Sequence, residues 1–383
     1  VIDTIRKSFE KHFHGSPRIY QSPGRVNLIG EHTDYNEGFV LPASVNRYVY
    51  FAIKPNSLDE YRFYAHDLSE GICISTSNIK PSETHWANYL LGVIAQITYE
   101  GRQIPGFDCV FGGDIPMGAG MSSSAAIECG LAYALNEIYN LSYRKIELAK
   151  IAQRAEHEFA GVKCGIMDQF AVLHGKANHV IKLDCQILTH EYFELDMSHL
   201  SLILVNTGVK HSLASSEYNK RRNECQEGVN ILRQYDSGYH SLREVDMDII
   251  RLHQLEFEQN IWNRCTYVIE ENNRVLSACD ALRERDFAKF GKLMYKSHYG
   301  LRDKYEVSCP ELDKLVELTE DIDGVLGARM MGGGFGGCTI NLVDNNCIET
   351  FNKKILQNYR TPEGKEPEII TFTIGDGTKE IEG

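Results

Sequence analysis

No run of apolar residues in this chain approaches the roughly 18 needed to cross a bilayer, so its 383 residues are expected to form a soluble protein with no membrane role. Positive charge is also in short supply: 40 Lys and Arg against 53 Asp and Glu leave a formal net charge of −13. A nucleic-acid partner is thereby disfavoured, because phosphate backbones are bound by Lys and Arg in number. The densest basic run, Lys220-Arg221-Arg222, reads as a solvated helix face. The eleven cysteines include no Cys-x-x-Cys pair and are odd in number. That pattern argues against a zinc site or a disulfide framework and predicts reduced thiols in a cytoplasmic protein. Internal repeats, low-complexity tracts and long linkers are absent.

Familiar catalytic signatures are missing as well. No glycine-lysine pair is followed by Ser or Thr, which excludes a Walker A loop. His157-Glu158-Phe159-Ala160-Gly161 lacks the second His of a zinc protease, and Gly120-Met121-Ser122-Ser123-Ser124 lacks the last glycine of a nucleophile elbow. The His-Arg-Asp and Asp-Phe-Gly signatures of protein kinases do not occur.

What is present is an α+β mixture. Aromatic and β-branched content predicts strands over 48–53, 62–65, 107–111, 178–183 and 201–206, with Gly112-Gly113-Asp114 as a turn. Apolar spacing predicts helices over 125–139 and 146–159, the second stopped by Gly161, and an amphipathic start at residues 1–7. Long charged helices follow over 212–234 and 256–283. Strands over 324–331 and 338–343, a helix over 347–359 and a strand over 369–374 complete the chain. The length suits two or three domains, and a boundary is placed near 190, giving 1–190 and 191–383.

Four segments carry chemistry. Gly24-Arg25-Val26-Asn27-Leu28-Ile29-Gly30-Glu31-His32-Thr33-Asp34-Tyr35-Asn36 gathers charged and hydrogen-bonding side chains around two glycines. A solvated turn would account for it, but interleaved apolar residues suit a polar pocket for a hydroxyl-rich ligand such as a sugar. Pro116-Met117-Gly118-Ala119-Gly120-Met121-Ser122-Ser123-Ser124 stands between a strand and a helix. Its glycines allow close backbone approach, and the free N–H groups of the helix start make an anion site. A serine N-cap needs one serine where three stand. In Glu156-His157 and Gly161-Val162-Lys163-Cys164-Gly165-Ile166-Met167-Asp168, the aspartate could be a general base or simply a helix cap. Gly332-Gly333-Gly334-Phe335-Gly336-Gly337 satisfies Gly-x-Gly-x-x-Gly but opens a strand where a dinucleotide site opens a helix. A glycine turn closing over a ligand fits better.

Taken in order, these segments resemble the galactokinase family within the wider GHMP small-molecule kinases. The resemblance runs from about residue 23 to 343 and includes Ser212-Leu213-Ala214-Ser215-Ser216-Glu217-Tyr218 and Ser308-Cys309-Pro310-Glu311-Leu312-Asp313. It implies two α+β domains, the first like domain 2 of ribosomal protein S5 and the second ferredoxin-like, with the active site between them. It also implies an ATP-dependent sugar 1-kinase that phosphorylates the anomeric hydroxyl of D-galactose, releasing galactose 1-phosphate and ADP in the first committed step of galactose catabolism. By the same resemblance, Glu31, His32, Thr33, Asp34, Gly165, Asp168 and Tyr218 fall at the sugar. Gly118, Ala119, Gly120, Met121, Ser122, Ser123 and Ser124 fall on the ATP phosphate loop, with Trp86 and Tyr89 near the nucleotide. Ser124 and Glu156 match Mg²⁺ ligands, Asp168 the catalytic base, and Arg25 the group that stabilises the reacting charges.

The residue types agree with those roles, since phosphoryl transfer needs positioning and charge neutralisation more than covalent work. Two alternatives stand beside this reading: a kinase for N-acetylgalactosamine or another sugar, and a galactose/ATP sensor without chemistry. Sensors of this kind lack a Ser-Ala pair in the phosphate loop, whereas Ser124-Ala125 is present. The motifs are compatible with a monomer.

Overall fold

The computed structural model describes residues 1–116, 118–209 and 214–381. Met117, Ser212 and Leu213 of the motifs above lie outside the described residues. Residues Arg18–Asn27 form a ten-residue strand, buried along most of its length, which pairs antiparallel with the long strand Pro42–Pro55. Phe107–Gly113, Glu60–Ala65 and Glu70–Ser75 follow on one side, and the last strand, Lys379–Ile381, joins on the other. Glu60–Ala65 runs parallel to Phe107–Gly113, and the remaining pairs of this six-stranded sheet are antiparallel.

Helices His85–Tyr99, Ser123–Ile138, Lys145–Ala155 and Met167–His174 cover one face. Leu90, Ile94, Leu131, Leu135, Leu148 and Phe170 meet Phe51, Phe63 and Phe107 there in one core. Helix Ile2–His12 seals the other face with Ile5 and Phe9 against Ile19, Ala52 and Val110. A four-stranded antiparallel sheet, in the order Val325–Met330, Cys338–Asp344, Leu200–Asn206 and Ile369–Phe372, anchors the second half. Phe39–Val40, from between the first two strands of the six-stranded sheet, joins His179–Asp184 and Thr189–Glu194 in a small third sheet. Residue 190 therefore falls inside a strand, and the final strand returns to the first sheet.

The two halves share a core. Val26, Leu28 and Leu41 pack with Leu202, Leu204, Ile340 and Leu342 and with Val275 and Phe290 of helices Gln259–Arg283 and Phe287–Gly300. The opening polar segment thus lies against the seam, its backbone and that of the strand after it held by helix Gln259–Arg283. Gly30 N–H donates to Glu271 Oε1 at 2.9 Å and Phe39 N–H to Asn272 Oδ1 at 2.9 Å.

Three local differences from the sequence reading matter for the site. Residues 112 and 113 extend a strand, because the long partner continues pairing as far as Val49↔Gly113. The helix expected to 159 ends at Ala155 and continues as one wide π turn, Glu156–Ala160, before Gly161 at φ 76°. That turn inserts backbone at the carboxylate expected to serve the site, a common use of π turns. Strand Arg18–Asn27 carries a register shift between Pro23 and Arg25. Gly24 sits there with Met121 O only 3.0 Å from where a Cβ would be, and Arg25 N–H donates to that same carbonyl at 3.0 Å.

Candidate active site

The shift at Gly24 brings the polar segment against the serine loop, and the chemistry converges there. Arg25 is 5% exposed. Its Nε and Nη2 donate to Asp168 Oδ1 and Oδ2, each at 2.7 Å, and its Nη1 donates to the Gly120 carbonyl at 2.5 Å. Such a two-pronged pair fixes both groups in orientation as well as distance. Ser122 Oγ also donates to Asp168 Oδ2. Asp168 is the second residue of helix Met167–His174, with no capping bond, so the helix-cap reading falls and the carboxylate is held by Arg25 and Ser122 instead.

A cavity of about 290 Å³ opens on this pair. Glu31, His32, Asp34, Glu156, Asp168 and Tyr218 line it together with Arg25 and the turn Gly332–Gly334. A groove of about 330 Å³ adjoins it, lined by Tyr89, Gly118, Gly120, Met121 and Ser122–Ser124. Arg25, Gly332 and Gly333 belong to both. Helix Ser123–Ile138 begins in the groove with no side-chain cap, leaving its first N–H groups and the positive end of its dipole for an anion.

Not every expected residue reaches a cavity wall. Thr33 is buried, and its hydroxyl turns inward with the carbonyls of Gly30 and Phe39 as acceptors at 2.8 and 2.6 Å, its one proton shared between them. Gly165 lies beneath Asp34: a Cβ there would be 1.9 Å from Asp34 Oδ2, so glycine makes room for the carboxylate. Ala119 packs into the shared core. Trp86 packs at a tilt against Phe111, with ring centroids 5.5 Å apart, and donates to Glu70 Oε2 at 2.9 Å, outside the groove wall that holds Tyr89.

Burial dominates the electrostatics. Asp34 is pushed up to about 7, first by burial and then by the negative charge of Asp168, against backbone hydrogen bonds from Tyr35 and Met167. Glu156 is likewise raised to about 7 by burial and Asp168, while hydrogen bonds from Cys164 and Ser124 pull the other way. Burial lowers His32 to about 3, with Arg221 and Arg329 adding to the effect, so its ring is neutral. For Arg25, burial opposes the charge, but Asp168, Glu31 and Asp34 outweigh it and raise its pKa.

Two supporting residues escaped the sequence reading. Arg329, fully buried in strand Val325–Met330, pairs with Glu31 Oε1 through Nη2 at 2.7 Å. The Gly332 N–H donates to the same oxygen at 2.8 Å. A lone arginine in an apolar strand was the available signal, because such a charge is almost never buried unpaired. Gln169 is the other: its Nε2 donates to Glu156 Oε2 at 2.7 Å.

Comparison with known proteins bears directly on this geometry. The profile of the GHMP kinases N terminal domain matches residues 88–176, that of the galactokinase galactose-binding signature residues 7–55, and that of the GHMP kinases C terminal region residues 278–355. A galactokinase from Roseiflexus sp. (strain RS-1) is 39% identical over 100% of this chain and 98% of its own. One from Thermotoga petrophila is 42% identical over 94% and 99%. The chain belongs to the galactokinase family. The crystal structure of Lactococcus lactis galactokinase complexed with galactose superposes with a TM-score of 0.95 at 32% identity, covering 99% of both chains. A Methanococcus jannaschii mevalonate kinase shares the fold, with a TM-score of 0.66 at 21% identity. The architecture is the two-domain α+β fold of the GHMP kinases, as the sequence resemblance implied. The galactose-binding signature contains the whole polar segment that lines the cavity.

Proposed function

We propose that this chain is a galactokinase that transfers the γ-phosphoryl group of ATP to the anomeric hydroxyl of D-galactose, giving galactose 1-phosphate and ADP. The observation that carries the reading is the junction at Arg25. One side of it is a cavity rich in acceptors, the other a groove ending in an uncapped helix, and Asp168 faces the junction. A sugar in the cavity would offer hydroxyl protons to Glu31 and Asp34 while a phosphate chain lay against the serine loop.

Asp168 takes the proton from the attacking hydroxyl, and Arg25, already on both of its oxygens, offsets charge on the moving phosphoryl group. Transfer at a junction of this kind draws its rate mainly from alignment and charge stabilisation. The donor set suits Mg²⁺: a hydroxyl from Ser124 faces the Glu156 carboxylate, both oxygens and both hard. Among the described residues no three His, Cys, Asp or Glu side chains group as a cage. That accords with an ion that keeps waters and takes phosphate oxygens. When bound, Mg²⁺ would neutralise phosphate charge. The eleven cysteines are all free thiols, which supports a reducing, cytoplasmic location. Among the described residues no helix is long and apolar enough to cross a membrane.

The test is ADP release with ATP and galactose, glucose, N-acetylgalactosamine or arabinose side by side, with the product identified by phosphorus NMR. Galactose 1-phosphate from galactose, and much slower turnover of the others, is the expected result. Release with N-acetylgalactosamine but not galactose would overturn the substrate, and no release with any sugar would favour a sensor.

A further inference from the structure

Among the described residues His32 is the one imidazole on the cavity wall, and its two nitrogens have different surroundings. Nδ1 lies 2.7 Å from Tyr35 Oη. Nε2 is buried and has no hydrogen-bond partner among the described residues. Behind Tyr35 the contacts continue: its Oη is 2.8 Å from Tyr305 Oη, which is 3.2 Å from Cys225 Sγ. Tyr305 and Cys225 are fully buried. Arg221 Nε holds the Tyr305 carbonyl at 2.7 Å, and the His32 and Tyr305 ring centroids are 4.9 Å apart.

Each hydroxyl or thiol carries one proton. Three contacts in a row among His32, Tyr35, Tyr305 and Cys225 are therefore all bonded, with both phenol protons used, only when those protons point the same way along the chain; any mixed arrangement leaves one contact unbonded or one phenol proton without an acceptor in it. Pointing away from His32, they would end on a thiol sulfur, a weak acceptor, and would use phenol as the acceptor from imidazole. Pointing toward His32, a phenol donates to an unprotonated imidazole nitrogen, and the weak sulfur is needed only as a donor.

We propose that Tyr35, Tyr305 and Cys225 are positioning residues that fix His32 as the Nε2–H tautomer, so that it meets the sugar as a donor among acceptors. This rests on the sugar-kinase reading above. Glu31 and Asp34 take protons from hydroxyls, whereas His32 would give one to a sugar oxygen. A hydroxyl placed between His32 and a carboxylate would then be recognised on both counts, and a sugar lacking it would lose both.

The first measurement is long-range proton–nitrogen correlation NMR on the full chain labelled with ¹⁵N-histidine, at neutral pH without sugar or nucleotide. His32 is assigned by its loss in His32→Gln. The expected spectrum has Nδ1 unprotonated and Nε2 protonated; a protonated Nδ1 overturns the proposal. The second is kinetic. Tyr35→Phe should raise KM for galactose roughly two- to tenfold, the range for one neutral hydrogen bond, with kcat little changed. Cys225→Ser, which keeps a donor, should restore wild-type behaviour where Cys225→Ala does not. Across singly deoxygenated galactoses, the Tyr35→Phe effect should vanish for the one that lacks the oxygen facing His32. An equal rise with every sugar would mark a merely structural role and overturn the assignment. Failure of the wild type to phosphorylate galactose would refute the function, while the NMR result would still decide the tautomer.

Discussion

Replacing Asp34 by Asn should stabilise the free protein while removing its grip on sugar, and the balance should depend on pH in a defined direction. The carboxyl lies over Gly165 with Asp168 and Glu31 nearby, and its pKa stands at about 7 against the ordinary 3.8. A raised folded-state pKa means that the folded protein holds this proton more tightly than the unfolded chain. The stability it contributes is complete below about pH 4 and is lost progressively as pH rises to about 7. At 1.36 kcal/mol per unit, the loss is up to about 4 kcal/mol above pH 7. Asn does not titrate, so it escapes that loss. It also turns an NH₂ toward one of the backbone donors that Asp34 accepts, costing about 1–3 kcal/mol. The variant should therefore gain about 1–3 kcal/mol over wild type at pH 8, a few degrees in Tm. At pH 5 it should gain nothing or lose slightly. Urea unfolding from pH 5 to 8, beside calorimetric titration of galactose, reads both effects. A stability difference that stayed constant across that range would refute the argument, as would unimpaired galactose binding by the variant.

Other consequences follow from the same geometry. Gly165→Ala places a methyl group within 1.9 Å of Asp34 Oδ2, so KM for galactose should rise by an order of magnitude or more in steady-state assays. Arg329→Met leaves Glu31 as a buried charge without its cation; a loss of about 3–5 kcal/mol by chemical denaturation is expected, with weaker galactose binding. Asp34 and Glu156 both rest near 7, and the roles proposed for them need both as carboxylates, so kcat/KM for galactose should fall as pH drops through about 7. A flat profile from pH 6 to 8 would contradict those two roles.

Much of the candidate site was legible because its chemistry is concentrated in short segments. Arg25 to Asp34 and the run from Gly118 to Ser124 each announce a pocket by residue type alone, and each lines one of the adjoining cavities. The partners of those segments were harder to see. Strand Arg18–Asn27 carries Pro23 and Gly24 in its middle, which mask its strand character, although the register shift there is what brings Arg25 to Asp168. Helix His85–Tyr99 is apolar almost all round and shows no stripe to read. The Arg329–Glu31 pair joins residues far apart in sequence, and only the folded sheet brings them together. The wide turn at Glu156–Ala160 has no periodicity signal distinct from the helix before it. Thr33 sits among pocket residues in sequence, yet its short side chain finds two carbonyls within the loop and turns away.

The central claim is that Asp168, held by Arg25, takes the proton from the sugar hydroxyl as the phosphoryl group moves. Asp168→Asn tests it most directly, with galactose affinity by calorimetry and turnover by ADP release measured on the same preparation. The account predicts that galactose still binds, within several-fold of wild type, while turnover falls by roughly 10²–10⁴, the range expected for loss of a general base. Turnover near the wild-type rate would contradict it.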